Sequence, residues 1–181
     1  DRVAFVKDGS GRMQMLVNFP AVLYQKVSIL DDKPFNTLLL AFSIGMMGLS
    51  LLLLPVAAAI RWHYRTRLEL TPAQRGLRRI TRTVSAIDVA FMVLFLVVVV
   101  AAPNPMTLLS GKLDIWIRLL QALGVIGALG TLPVIYATLR LWKERDLWIW
   151  GRVFDVLVML ASAGFAWFVI HWNLINFNMN Y

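Results

Sequence analysis

The sequence has no cysteine. That excludes disulfide staples, thiolate zinc sites, iron–sulfur clusters and CxxC redox chemistry, and leaves the compartment open. Charge is scarce, with 15% of residues charged against about 25% in soluble proteins. Only two histidines occur, and no Walker motif, GxGxxG or HExxH, so no cofactor or metal is expected. What is abundant is apolar: 59% of the 181 residues, against about half in soluble domains. This excludes a disordered chain, a collagen-like chain and an ordinary soluble enzyme, and indicates a membrane protein. The net charge of +8 could suggest nucleic acid, but its distribution assigns it to topology and no nucleic-acid partner is expected.

A helix needs about 20 mostly apolar residues to cross a bilayer. Four segments qualify: residues 35–60, 83–102, 113–139 and 148–170. The expected fold is an all-α four-transmembrane-helix bundle over residues 35–181, preceded by a short antiparallel β segment at 1–30 and a linker at 31–34. Pro55 and Pro133 fall inside spans one and three, where each is a candidate bend.

The basic residues cluster. The link between spans one and two carries Arg61, Arg65, Arg67, Arg75, Arg78, Arg79 and Arg82, and that between spans three and four carries Arg140, Lys143 and Arg145, with Arg152 just beyond. The link at 103–112 holds only Lys112, and nothing after Asp155 is charged. By the positive-inside rule both arginine-rich links are cytoplasmic and both termini lie outside, which in a bacterium is the periplasmic face of the inner membrane. Trp62, Trp142, Trp148 and Trp150 then fall near the inner interface and Trp116, Trp167 and Trp172 near the outer one, where indole is favoured.

Thr71-Pro72-Ala73-Gln74 has the spacing of a capping box with proline at the first helical position. Beyond it, Arg75, Arg78, Arg79 and Arg82 recur at i, i+3, i+4, i+7 and form a basic stripe on a helix running into span two. These four are candidate lipid-headgroup contacts. Two readings stand: binding of an anionic lipid or regulator, and ordinary topology charge against phosphate headgroups.

Asp88 in span two, and Arg152 and Asp155 in span four, are charges inside apolar windows and form a candidate intramembrane polar cluster. Such a cluster either fixes helix packing or relays protons or ions. A relay needs polar groups continuing outward, yet residues 89–96 are wholly apolar. Asp114 and Arg118 have the i, i+4 spacing of a salt bridge. His63 and His171 end up on opposite faces, about 30 Å apart, and cannot share a ligand. Gly124-x-x-Gly127-x-x-Gly130 and Ala161-Ser162-Ala163-Gly164 are small-residue faces, which suggest that spans three and four touch or that the bundle forms a homo-oligomer or meets a membrane-protein partner.

Residues 1–30 look like strands: Val3-Ala4-Phe5-Val6, a turn at Asp8-Gly9-Ser10-Gly11, a second strand from Arg12 to Asn18, a break at Pro20, and a third strand from Val22 to Val27. Three short strands are marginal without a neighbour. They suggest the edge of a larger extracytoplasmic domain. The chain opens on Asp1 and no signal-peptide pattern follows, so it is expected to be a segment of a longer protein.

Ala4-Phe5-Val6-Lys7-Asp8-Gly9-Ser10-Gly11-Arg12-Met13, followed by Leu23-Tyr24-Gln25-Lys26-Val27, resembles the small β region after the catalytic domain of β-lactamase-related, penicillin-binding-protein-like serine hydrolases. There an apolar strand, a D-x-x-G-R turn, a second strand and an aromatic-x-(Lys/Arg)-Val strand follow one another, and some members continue into several membrane spans. The resemblance covers about 25 residues. It implies a periplasmic hydrolase acting on peptides, D-amino-acid amides, β-lactams or esters, whose catalytic domain would be the partner of this segment in the same chain. The family's Ser-x-x-Lys, Tyr-x-Asn and Lys/His-x-Gly elements are missing. Ser10, Ser28, Ser43, Ser50, Ser85, Ser110 and Ser162 all lack a lysine three residues on. No catalytic residue is carried over, and the active site is expected N-terminal to Asp1. The alternative is a small membrane subunit or sensor working through the arginine stripe and the aspartates.

Overall fold

A computed structural model describes residues 3–7, 13–17, 23–25, 29–65, 71–101, 114–144 and 148–175. The expected turn at 8–11, the link at 103–112, and Leu113, Arg67 and Arg145 lie outside the described residues. The chain divides into two compact units, residues 1–38 and 39–181.

In the first unit, β1 (Val3–Lys7), β2 (Met13–Val17) and β3 (Leu23–Gln25) lie in the order β1-β2-β3. Both pairings are antiparallel, with Phe5 opposite Met15 and Met15 opposite Tyr24. A 3-10 turn at Ile29–Asp31 leads into helix α1 (Lys33–Tyr64). Asn36 donates its side-chain amide to the Leu30 and Asp32 carbonyls, both at 2.9 Å, which ties the turn to the first helical turn.

The second unit comprises the rest of α1, α2 (Pro72–Ala101), α3 (Asp114–Lys143) and α4 (Ile149–His171). Each of the four helices is long and apolar enough to cross a bilayer. Pro55 and Pro133 lie within α1 and α3, and both helices continue through them. Helix α2 starts 11 residues before the expected span, so the arginine stripe and span two are one continuous helix. Its start is fixed as the sequence indicates. Thr71 Oγ1 accepts from the Gln74 backbone N–H at 3.2 Å, and Gln74 Oε1 accepts from the Thr71 N–H at 3.1 Å. The reciprocal pair satisfies two donors that a helix start leaves orphaned.

Packing centres on Phe91, Phe165, Val169, Met47 and Ala161. Phe91 meets Phe165 edge to face, ring centroids 5.3 Å apart. Helices α2, α3 and α4 pack closely, whereas the α1 backbone approaches none of them as tightly. The glycine face of α3 lies chiefly against α2. A Cβ on Gly130 would stand 2.9 Å from Val84 Cγ1, one on Gly124 2.9 Å from Phe91 Cε2, and one on Gly127 would collide with the Asp88 carboxylate. So Val84, Asp88 and Phe91, at i, i+4, i+7 on α2, fill the three absences on α3. Gly164 instead receives α1, with Leu39 Cδ1 at 2.9 Å and Ser43 Oγ at 3.1 Å from its notional Cβ. Small residues serve here because lipid tails are as apolar as leucine, so close contact and hydrogen bonds must drive association. The large apolar residues left outside, such as Leu52, Val100, Ile115 and Leu132, form a surface suited to lipid.

The α2 start and the α3 end lie together, with Gly76, Leu77, Tyr136 and Arg140 around one depression. Arg78 and Arg82 likewise lie beside Trp148 and Gly151 at the α4 start. The arginine-bearing helix ends are therefore at one end of the bundle. Helix α4 closes with Asn173 in the left-handed region (φ 54°), which lets the Leu174 N–H reach the Val169 carbonyl at 3.0 Å.

Candidate functional site

Polar groups gather at two levels of the bundle. The deeper level is built on Asp88, fully buried at 0% exposure. Because α2 begins at Pro72, Asp88 lies 16 residues in, about 24 Å along a helix rising about 1.5 Å per residue. Ser162 Oγ on α4 donates to Asp88 Oδ2 at 3.5 Å, and the Ser162 and Thr131 hydroxyls are 3.1 Å apart. Thr131 Oγ1 also donates to the Ser162 carbonyl, at 3.3 Å. One carboxylate and two hydroxyls thus link α2, α3 and α4. Asp88 Oδ1, against Gly127, has no hydrogen-bond partner among the described residues.

The second level lies nearer the arginine end. Arg78 Nη2 stands 3.8 Å from Asp155 Oδ2, both groups partly buried. At that distance the pair is ionic without being a hydrogen bond, and Arg78 Nε, also buried, has no acceptor among the described residues. Arg82 lies within electrostatic reach of Arg78, Arg61 and Asp155. Thr138 Oγ1 donates to the Asp155 backbone carbonyl at 3.4 Å, joining α3 to this level.

This arrangement corrects the expected Asp88/Arg152/Asp155 cluster. Ser162, which holds Asp88, is seven residues beyond Asp155 on α4, about 10 Å along the axis, and ten beyond Arg152. The three residues are not one group. Helix α2 begins 11 residues before residue 83 and so carries Asp88 to its middle. The cation for Asp155 comes from the stripe on α2. The stripe itself divides: Arg78 and Arg82 are half-buried towards α4, while Arg75 and Arg79 are exposed. A second correction concerns Asp114 and Arg118. Asp114 Oδ1 is buried without a hydrogen-bond partner, Arg118 is exposed, and no ion pair joins them among the described residues.

His63 lies edge-on to Tyr64 at the arginine end, centroids 5.0 Å apart, and His171 stacks on Trp167 at 4.6 Å at the opposite end. Among the described residues no group of three or more His, Cys, Asp or Glu is placed to hold a metal. The interhelical role of Thr131 and Ser162 was not read from the sequence; the small-residue face around Ser162 was the available signal.

Comparison with known proteins finds no matching family model, no matching curated protein and no matching solved structure.

Proposed function

We propose that this chain is the membrane-anchoring, non-catalytic C-terminal region of a periplasmic β-lactamase-like serine hydrolase. The observation that carries the reading is the run from Ala4 to Val27, which resembles the family's β ending, followed at once by a linker and four membrane-length helices. The polar interior fits an anchor. Asp88, Ser162 and Thr131 bond one another across helices, and the residues of α2 beyond Asp88 are apolar, so α2 itself carries no polar group outward of Asp88. In this reading both termini are periplasmic, the bundle sits in the inner membrane, and the hydrolase domain is held close to the bilayer.

The test is the coding sequence upstream of the Asp1 codon, followed by labelling of its full product with a fluorescent penicillin. A frame encoding Ser-x-x-Lys and Tyr-x-Asn, and a product that labels covalently at that serine, supports the anchor. A frame encoding an unrelated domain overturns it. One observation favours a membrane subunit or sensor instead: the Arg78–Asp155 pair borders an open cavity. In that case charge reversal at Arg75, Arg78 and Arg79 abolishes function with insertion intact.

A further inference from the structure

The cavity beside the Arg78–Asp155 pair has no occupant assigned in either reading. It has a volume of about 370 Å³, inside the range of about 300–1,000 Å³ typical of small-molecule sites. Arg78, Arg82, Asp155, Trp148, Trp150 and Phe154 form its polar and aromatic part. Leu53 and Ala57 of α1, with Val158 of α4, form an apolar part. It exists because α1 stands off from the close-packed α2–α3–α4 core. It lies at the arginine end, where the tryptophans mark the headgroup level.

Its charge is unbalanced. Arg78 and Arg82 face one carboxylate, Asp155, and Arg61 adds positive potential at Arg82. The donors are also unspent. Arg78 Nε has no acceptor among the described residues, and the Arg78–Asp155 contact is too long to be a hydrogen bond. Buried guanidinium donors without acceptors are costly, and a phosphate supplies acceptors and charge together. The neighbouring apolar cleft between α1 and α4 suits an acyl chain.

We infer that this cavity binds one anionic phospholipid from the leaflet at the arginine end, its phosphate between Arg78 and Arg82 and its upper acyl chain along Leu53, Ala57 and Val158. The exposed Arg75 and Arg79 are ordinary interfacial charges and belong to no site. The inference holds whether or not a hydrolase domain precedes the bundle.

Native mass spectrometry of the detergent-solubilised full chain tests it, with phosphatidylglycerol, phosphatidylcholine and inorganic phosphate as probes. One saturable phosphatidylglycerol is expected, with phosphatidylcholine about ten-fold weaker. Arg78→Gln and Arg82→Gln each weaken phosphatidylglycerol by about five-fold, whereas Arg75→Gln with Arg79→Gln changes it by less than about two-fold. Asp155→Asn removes the competing carboxylate and tightens binding, an effect that loss of fold would not give. Inorganic phosphate at millimolar concentration neither binds nor displaces the lipid. Equal affinity for the two lipids, equal loss at the outer and inner arginine pairs, weakening by Asp155→Asn, or displacement by inorganic phosphate each overturns the assignment.

Discussion

The carboxylate of Asp88 occupies the space that a side chain at Gly127 would fill. An acidic residue on α2 is accommodated midway through the bundle because the facing position on α3 has no Cβ. Phe165 Cε1 bounds the same space, 3.0 Å from where a Gly127 Cβ would lie. A Cβ there would force the buried Asp88 carboxylate off Gly127 and press the Phe165 ring, so the fit depends on glycine.

Gly127→Ala should therefore destabilise the bundle by about 1–3 kcal/mol, as overpacking does. Gly48→Ala is the control, since nothing lies within 4 Å of its notional Cβ. It should be neutral or stabilise by less than about 1 kcal/mol. Unfolding in mixed detergent followed by tryptophan fluorescence measures both. Equal effects would dissociate Asp88 from Gly127.

The Thr131 and Ser162 hydroxyls are 3.1 Å apart, and Ser162 also reaches Asp88. A double-mutant cycle with Thr131→Ala and Ser162→Ala should show coupling of about 0.6–1.7 kcal/mol, the range for interhelical hydrogen bonds in membranes. Strict additivity would mean that the hydroxyls do not bond.

At the α2 start, Thr71→Ala removes one half of a reciprocal cap. The expected cost is about 1 kcal/mol, felt locally. Hydrogen exchange should quicken over residues 72–76 and stay unchanged around Phe91. A uniform increase along α2 would mean that the cap supports the whole helix.

Absence of cysteine makes topology directly measurable. Tyr64→Cys and Glu144→Cys should react with a membrane-impermeant maleimide only after the cells are opened, whereas Asn173→Cys should react in cells whose outer membrane alone is permeabilised. The reverse pattern would invert the orientation. Labelling of all three sites from one side would remove the four-span reading.

The four spans, their common arginine end and the capping box at Thr71 were legible in the sequence, because each depends on local order: a run of apolar residues, a count of charges between runs, a three-residue spacing. What faces what was not legible. In water the apolar stripe of a helix marks its buried side, but in a bilayer both sides are apolar, so hydropathy gives no direction. Only the tertiary structure decided that Asp155 takes Arg78 from α2, that Asp88 lies deep in a continuous α2 with Ser162 as donor, and that the α3 glycines receive α2 while Gly164 receives α1. Those choices follow from how closely four backbones can approach, a property of the assembled bundle and of no single helix.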